Sequence, residues 1–147
     1  MSKTILIVGG GLGGLALAQG LRGSGLGVRV VERDGGERPQ GRRLSLNKVG
    51  LDSLRTLLPP SLWAALPTVE VADVGRDFHF ASPSLRPLVR FAAARDGVGA
   101  VTVRRGGLHA LLAEGLDVEY GRRLVALDVD GERVRARFAD GAPIDAD

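Results

Sequence analysis

The residues with the clearest chemical potential lie near the amino terminus: Gly9-Gly10-Gly11-Leu12-Gly13-Gly14, with Glu32 eighteen residues beyond Gly14. Gly9, Gly11 and Gly14 satisfy the spacing GxGxxG. In such a turn the first glycine permits a tight bend, the second a close backbone approach to a diphosphate, and the third close contact between helix and strand. Leu12 and Gly13 fall where a helix would begin, offering unpaired N–H groups and a partial positive charge to phosphate oxygens. A carboxylate at Glu32 can accept both hydroxyl hydrogens of an adenosine ribose. It also disfavours a 2′-phosphate, which leaves NAD or FAD ahead of NADP. The spacing alone is weak in a glycine-rich chain, and its value depends on the elements around it.

Those elements read as a βαβ unit. Lys3–Val8 (KTILIV) is a short apolar run suited to a strand buried on both faces. Residues 12–24 place Leu15, Ala18 and Leu21 three apart, a helical face for close contact with a sheet, stopped by Gly23 and Gly25. Gly27–Glu32 is a second strand, parallel to the first. The uncharged run from Thr4 to Leu21, preceded by Lys3, also has the outline of a signal peptide or membrane anchor. Five glycines within six positions would break such a helix at its centre, so strand, turn and helix is the preferred reading.

Farther on, residues 33–43 form a polar loop, and Asn47 is an N-cap for a helix closed by Pro59-Pro60. Trp63 reads as a helix anchor. Strands are expected over Val69–Phe80 and Leu88–Ala93, around a turn at Ser82–Pro87. A helix over Arg105–Glu114, a short strand over Asp117–Tyr120, and a hairpin of Leu124–Val129 and Val134–Phe138 about Asp130-Gly131 complete the chain.

Composition narrows the function classes. With 147 residues and 44% hydrophobic residues, the chain can bury a core without staples. It has no cysteine, which excludes disulfide scaffolds and thiolate metal sites. Of 20 basic residues only Lys3 and Lys48 are lysines, yet the net charge is +3 and aromatics are 4%, without the basic stripe and stacking residues of a nucleic-acid binder. No nucleic-acid partner, no membrane and no metal are expected, and the location expected is cytoplasmic. His79 and His109, thirty positions apart and without a carboxylate spacing, read as structural.

The stretch GGGLGGLALAQGLRGSGLGVRVVER resembles the amino terminus of the FAD-dependent aromatic-ring hydroxylases, the single-component flavoprotein monooxygenases. Its ending, Glu32-Arg33, matches theirs. Arg42-Arg43 with the following Leu-x-Leu resembles the family segment that reaches toward the flavin. Arg105-Gly106-Gly107-Leu108 through Leu112 resembles its Arg-x-x-Leu-x-x-x-Leu helix, and Tyr120–Leu124 the segment flanking the adenine. The resemblance implies FAD as cofactor, with Arg33 at the adenosine end, Arg105 at the phosphates, and Leu124 beside the adenine. It also implies NAD(P)H as co-substrate of the full-length enzyme, and oxygen insertion into a small aromatic or polyketide-like substrate. No catalytic acid or base is visible. A halogenase or prenyl reductase of the same fold, or a non-catalytic NAD- or FAD-binding fragment, remain alternatives.

The expected fold class is α/β: a Rossmann-like, glycine-rich βαβ dinucleotide-binding core with an added antiparallel β segment, truncated. Residues 1–147 would be a partial FAD-binding domain, with about 68–95 the start of a substrate-domain β segment. The family's later Asp-Gly and Gly-Asp segments have no counterpart here, since Asp96-Gly97 and Asp140-Gly141 read as turn dipeptides. The remainder of a parent chain is therefore expected to be required for a complete fold. The edge beside Ile5–Val8 is expected to be open, inviting association or weakening FAD binding.

Overall fold

The computed structural model describes residues 3–36, 43–71, 78–91 and 101–147. Its centre is a parallel sheet of β1 (Thr4–Val8), β2 (Gly27–Val31) and β7 (Val118–Glu119), in the order β1-β2-β7. The first two strands run in register from Thr4↔Gly27 to Val8↔Val31, joined by α1 (Leu12–Leu21), which is the βαβ unit expected from the sequence.

Alternation along these strands builds two cores, because successive side chains leave opposite faces of a sheet. Ile7 and Val30 point to one face, where they meet Leu15 and Ala18 of α1 and Leu108, Leu111 and Leu112 of α4 (Arg105–Ala113). Leu6 and Val31 point to the other face. There Ala136, Phe138 and Ile144 cover them from an antiparallel meander of β8 (Leu124–Asp130), β9 (Arg133–Phe138) and β10 (Ile144–Ala146). Full burial of Leu15 and Leu108, at 0% and 1% exposure, ties the two helices to the sheet and to each other.

The middle of the chain differs from the sequence reading in several places. Leu44–Leu46 is a strand, β3, pairing antiparallel with β6 (Val101–Val103), and neither was expected. Asn47 does cap α2 (Lys48–Leu57), accepting from the Gly50 N–H at 2.9 Å. Pro59-Pro60 closes that helix but also opens another. Pro60 begins α3 (Pro60–Ala65), since the first position of a helix does not use its N–H. Trp63 on α3 rests against the main core.

No continuous strand runs from Val69 to Phe80. Leu66–Val69 is a 3₁₀ turn containing Pro67, whose fixed φ suits it; Glu70 makes an isolated bridge to Val103. Residues 72–77 lie outside the described residues, and β4 (Phe78–Ala81) then pairs with β5 (Pro87–Phe91) about the expected turn. The meander hairpin is shifted by one residue. Asp130 belongs to β8 and faces Arg133, so the two-residue loop is Gly131-Glu132, with Gly131 at φ +60°. That is the glycine-first form of a tight hairpin loop. No helix among the described residues is long and apolar enough to cross a membrane.

Candidate functional site

The glycine turn sits at the head of α1, at the carboxyl ends of β1 and β2, where ligands bind in open α/β sheets. Gly9 has φ +115°, a conformation that excludes residues with a Cβ, and its N–H donates to the Val31 carbonyl at 2.8 Å. The glycines that follow meet different surroundings. A Cβ at Gly14 would collide with the Gly9 carbonyl and lie 3.2 Å from Ile7 Cγ2, so Gly14 is the close contact between helix and strand. A Cβ at Gly11 or Gly13 would meet nothing within 4 Å, and both residues are exposed. Gly11 is the N-cap of α1, with no side-chain cap and no acidic residue in the first turn. The helix therefore presents uncapped amides and its positive end on an open face, an arrangement suited to an anionic group.

Glu32 follows β2 directly and is half-buried. Its Oε2 accepts from the Gly10 N–H at 2.8 Å and its Oε1 from the Asp34 N–H at 3.1 Å. Its own N–H donates to the Glu119 carbonyl on β7, and its carbonyl accepts from the Arg122 N–H, each at 2.8 Å. A carboxylate anchored at so many points is held in a single position beside the turn. Two clefts share it. A narrow one of about 30 Å³ is bounded by Gly10, Gly11, Leu12, Gly35, Gly36, Arg105, His109 and Tyr120. A wider one of about 430 Å³ is bounded by Val8, Gly9, Arg33, Arg122, Arg123 and Leu124.

The fold thus gathers most of the site residues named from the sequence. Arg105, the first residue of α4, comes to the glycine turn because Leu108, Leu111 and Leu112 seat that helix against the core. Arg33, its Nε 3.5 Å from Asp34 Oδ1, shares the wider cleft with Leu124. Arg43 is not brought in: it is exposed ahead of β3 and bounds neither cleft. Arg42 lies outside the described residues.

Three further contributors were not named as site residues from the sequence, where His109 read as structural. Tyr120 bounds the narrow cleft, its ring against Gly36. Arg122, with only 15% of its side chain exposed, donates to the carbonyls of Asp140 (2.9 Å) and Ala142 (2.5 Å) and covers the Phe138 ring at 4.3 Å. It thereby fixes a wall of the wider cleft. His109 Nε2 lies 2.7 Å from the Gly10 carbonyl. The only signal for Arg122 was its place in the Tyr120–Leu124 segment, and His109 had none, because its partner is 99 positions away.

Comparison with known proteins agrees with this geometry. Residues 2–75 match the model of the FAD binding domain family. The chain is 33% identical to the 6-hydroxynicotinate 3-monooxygenase of Pseudomonas fluorescens, over 99% of this chain and 39% of that protein. It is 30% identical to the FAD-dependent monooxygenase phnB of Penicillium herquei, over 93% of this chain and 34% of that protein. Among solved structures, a candidate FAD-containing monooxygenase from Photorhabdus luminescens superposes with a TM-score of 0.82 at 25% identity, over 99% of this chain and 38% of the other. The chain therefore spans little more than a third of these relatives' lengths. With half of its residues matched by the family model and the glycine turn and Glu32 in place, this chain belongs to the FAD binding domain family.

Proposed function

We propose that this chain is the FAD-binding portion of an NAD(P)H-dependent flavoprotein monooxygenase acting on a small aromatic or polyketide-like molecule. One observation carries the reading. The Glu32 carboxylate is fixed by the Gly10 and Asp34 amides directly beside an uncapped helix head, so acceptors for a ribose and donors for a diphosphate lie side by side. In this reading Gly9, Gly11, Leu12, Gly13 and Gly14 form the diphosphate turn, and Glu32 takes the ribose hydroxyls. Arg105 supplies a guanidinium to the phosphates, with geometry suited to an oxyanion. Arg33 and Leu124 border the adenosine end, in the wider cleft. Arg42 and Arg43 are assigned to the flavin side from the family resemblance alone.

Bound FAD would supply the redox and oxygen chemistry; the protein supplies binding, orientation and electrostatics. The monooxygenase activity is supported by the relatives' names. A domain assignment follows as part of the same proposal. Among the described residues, strands β4 and β5 form a sheet of two, and Leu85 in their turn and Leu88 on β5 are exposed, as at the beginning of a substrate-domain sheet.

Titration of the chain with FAD and, separately, with NAD⁺, followed by flavin fluorescence and by competition, tests the reading. Saturable FAD binding that NAD⁺ does not displace at similar concentration is expected. Equal binding of the two would instead favour a nicotinamide module.

A further inference from the structure

Both backbone polar groups of Gly10 are held by side chains. Its N–H donates to Glu32 Oε2 at 2.8 Å, and its carbonyl lies 2.7 Å from His109 Nε2. A carbonyl oxygen only accepts, so Nε2 must carry the hydrogen, and in the neutral ring Nδ1 does not. The peptide unit from Gly10 to Gly11 is planar and trans, so its C=O and N–H point in opposite directions. Holding the Gly10 carbonyl therefore sets the direction of the Gly11 N–H. Neither glycine has a side chain of its own to restrain that unit, and a Cβ at Gly11 would touch nothing within 4 Å. The restraint comes from outside the turn.

His109 is well placed to supply it. It stands four residues after Arg105, one turn into α4 and on the same face, so both border the narrow cleft. The neighbouring Leu108, Leu111 and Leu112 are buried, which fixes the rotation of the helix and hence the reach of the ring.

We infer that His109 is a positioning residue for the cofactor. Its Nε2–H and the Glu32 carboxylate clamp the Gly10 backbone from two sides and preset the Gly11 amide before a diphosphate arrives. The consequence for affinity rests on the FAD reading; the clamp itself is a property of the chain alone.

The test uses this chain with His109→Leu, which fills the space without donating, and His109→Gln, which keeps a donor. In the unliganded parent, ¹⁵N NMR of the neutral imidazole should show the Nε2–H tautomer. His109→Leu should move or broaden the Gly11 amide signal while the core amides of α1 and β2 stay put. It should also weaken FAD binding about tenfold, the usual cost of one lost hydrogen bond, with His109→Gln recovering most of the loss. An Nδ1–H tautomer, a His109→Leu variant binding FAD within about twofold of the parent, or equal losses in both variants would overturn the clamp. A parent chain that binds no FAD would overturn the FAD reading instead, and the tautomer and the Gly11 signal would still decide the clamp.

Discussion

Gly11 and Gly14 stand three residues apart in one turn and are subject to opposite constraints. At Gly14 the space is filled by the Gly9 carbonyl and Ile7; at Gly11 it is empty and φ is −76°, which any residue adopts. Alanine should therefore separate folding from binding. Gly14→Ala forces the helix away from β1 and should cost about 1–3 kcal/mol in urea denaturation, the range for overpacking. Gly11→Ala meets no packing clash and should cost only about 0.5–1 kcal/mol, because Ala is a poorer N-cap than Gly. It should nevertheless weaken FAD binding about tenfold or more, by placing a methyl where the diphosphate must approach. If both variants lose stability alike, the open face assigned to Gly11 is wrong.

Among the secondary elements, the meander carries a clear electrostatic feature. Arg135 on β9 meets Asp145 on β10 in a two-pronged pair, Nε to Oδ1 at 2.6 Å and the second nitrogen to Oδ2 at 3.0 Å. The hydrogen bond from Arg135, more than its charge, holds the Asp145 carboxyl below its ordinary range. A carboxyl lowered in the folded state stabilises that state above the unfolded pKa, about 3.9, and the contribution disappears as pH falls through the folded value. Asp145→Asn should thus be slightly less stable than the parent at neutral pH, with the two denaturation curves converging in acid. The pair is exposed, so the gap should be small.

Element by element, what could be read from the sequence was local. Leu15 and Ala18 three apart, Asn47 ahead of an apolar helix, and the alternation of β8 and β9 are all signals within a dozen residues. Strands β3 and β6 are three residues each and find one another from distant parts of the chain, so no periodicity marks them. The same limit applies at the site. The turn and Glu32 were legible because strand geometry fixes their spacing. The gathering of Arg105, His109 and Tyr120 beside them depends on α4 and β7 returning to the sheet, which is a tertiary fact.

At the scale of the molecule, the meander has an unfinished apolar face. Leu127 and Val129 sit directly across from Ala136 and Val134, so they share the inner face, yet they are 54% and 70% exposed. Among the described residues, the sheet edge beyond β1 is bonded at its start, where Asp147 binds both backbone groups of Thr4. Apolar patches and open strand edges of this kind promote association. Sedimentation velocity should therefore show species larger than the monomer at micromolar concentration, and Leu127→Lys should shift them toward monomer. A parent chain that stays monomeric would remove this expectation while leaving the site unaffected.

The whole account depends on a single anchored carboxylate beside the helix head, and its charge can be reversed. FAD fluorescence titration of the parent and of Glu32→Lys measures that directly. Losing the ribose acceptor and the brace on Gly10 should weaken FAD binding by about 10- to 100-fold, the scale of a hydrogen bond to a charged group. Equal affinity in the two proteins would contradict the placement of the cofactor.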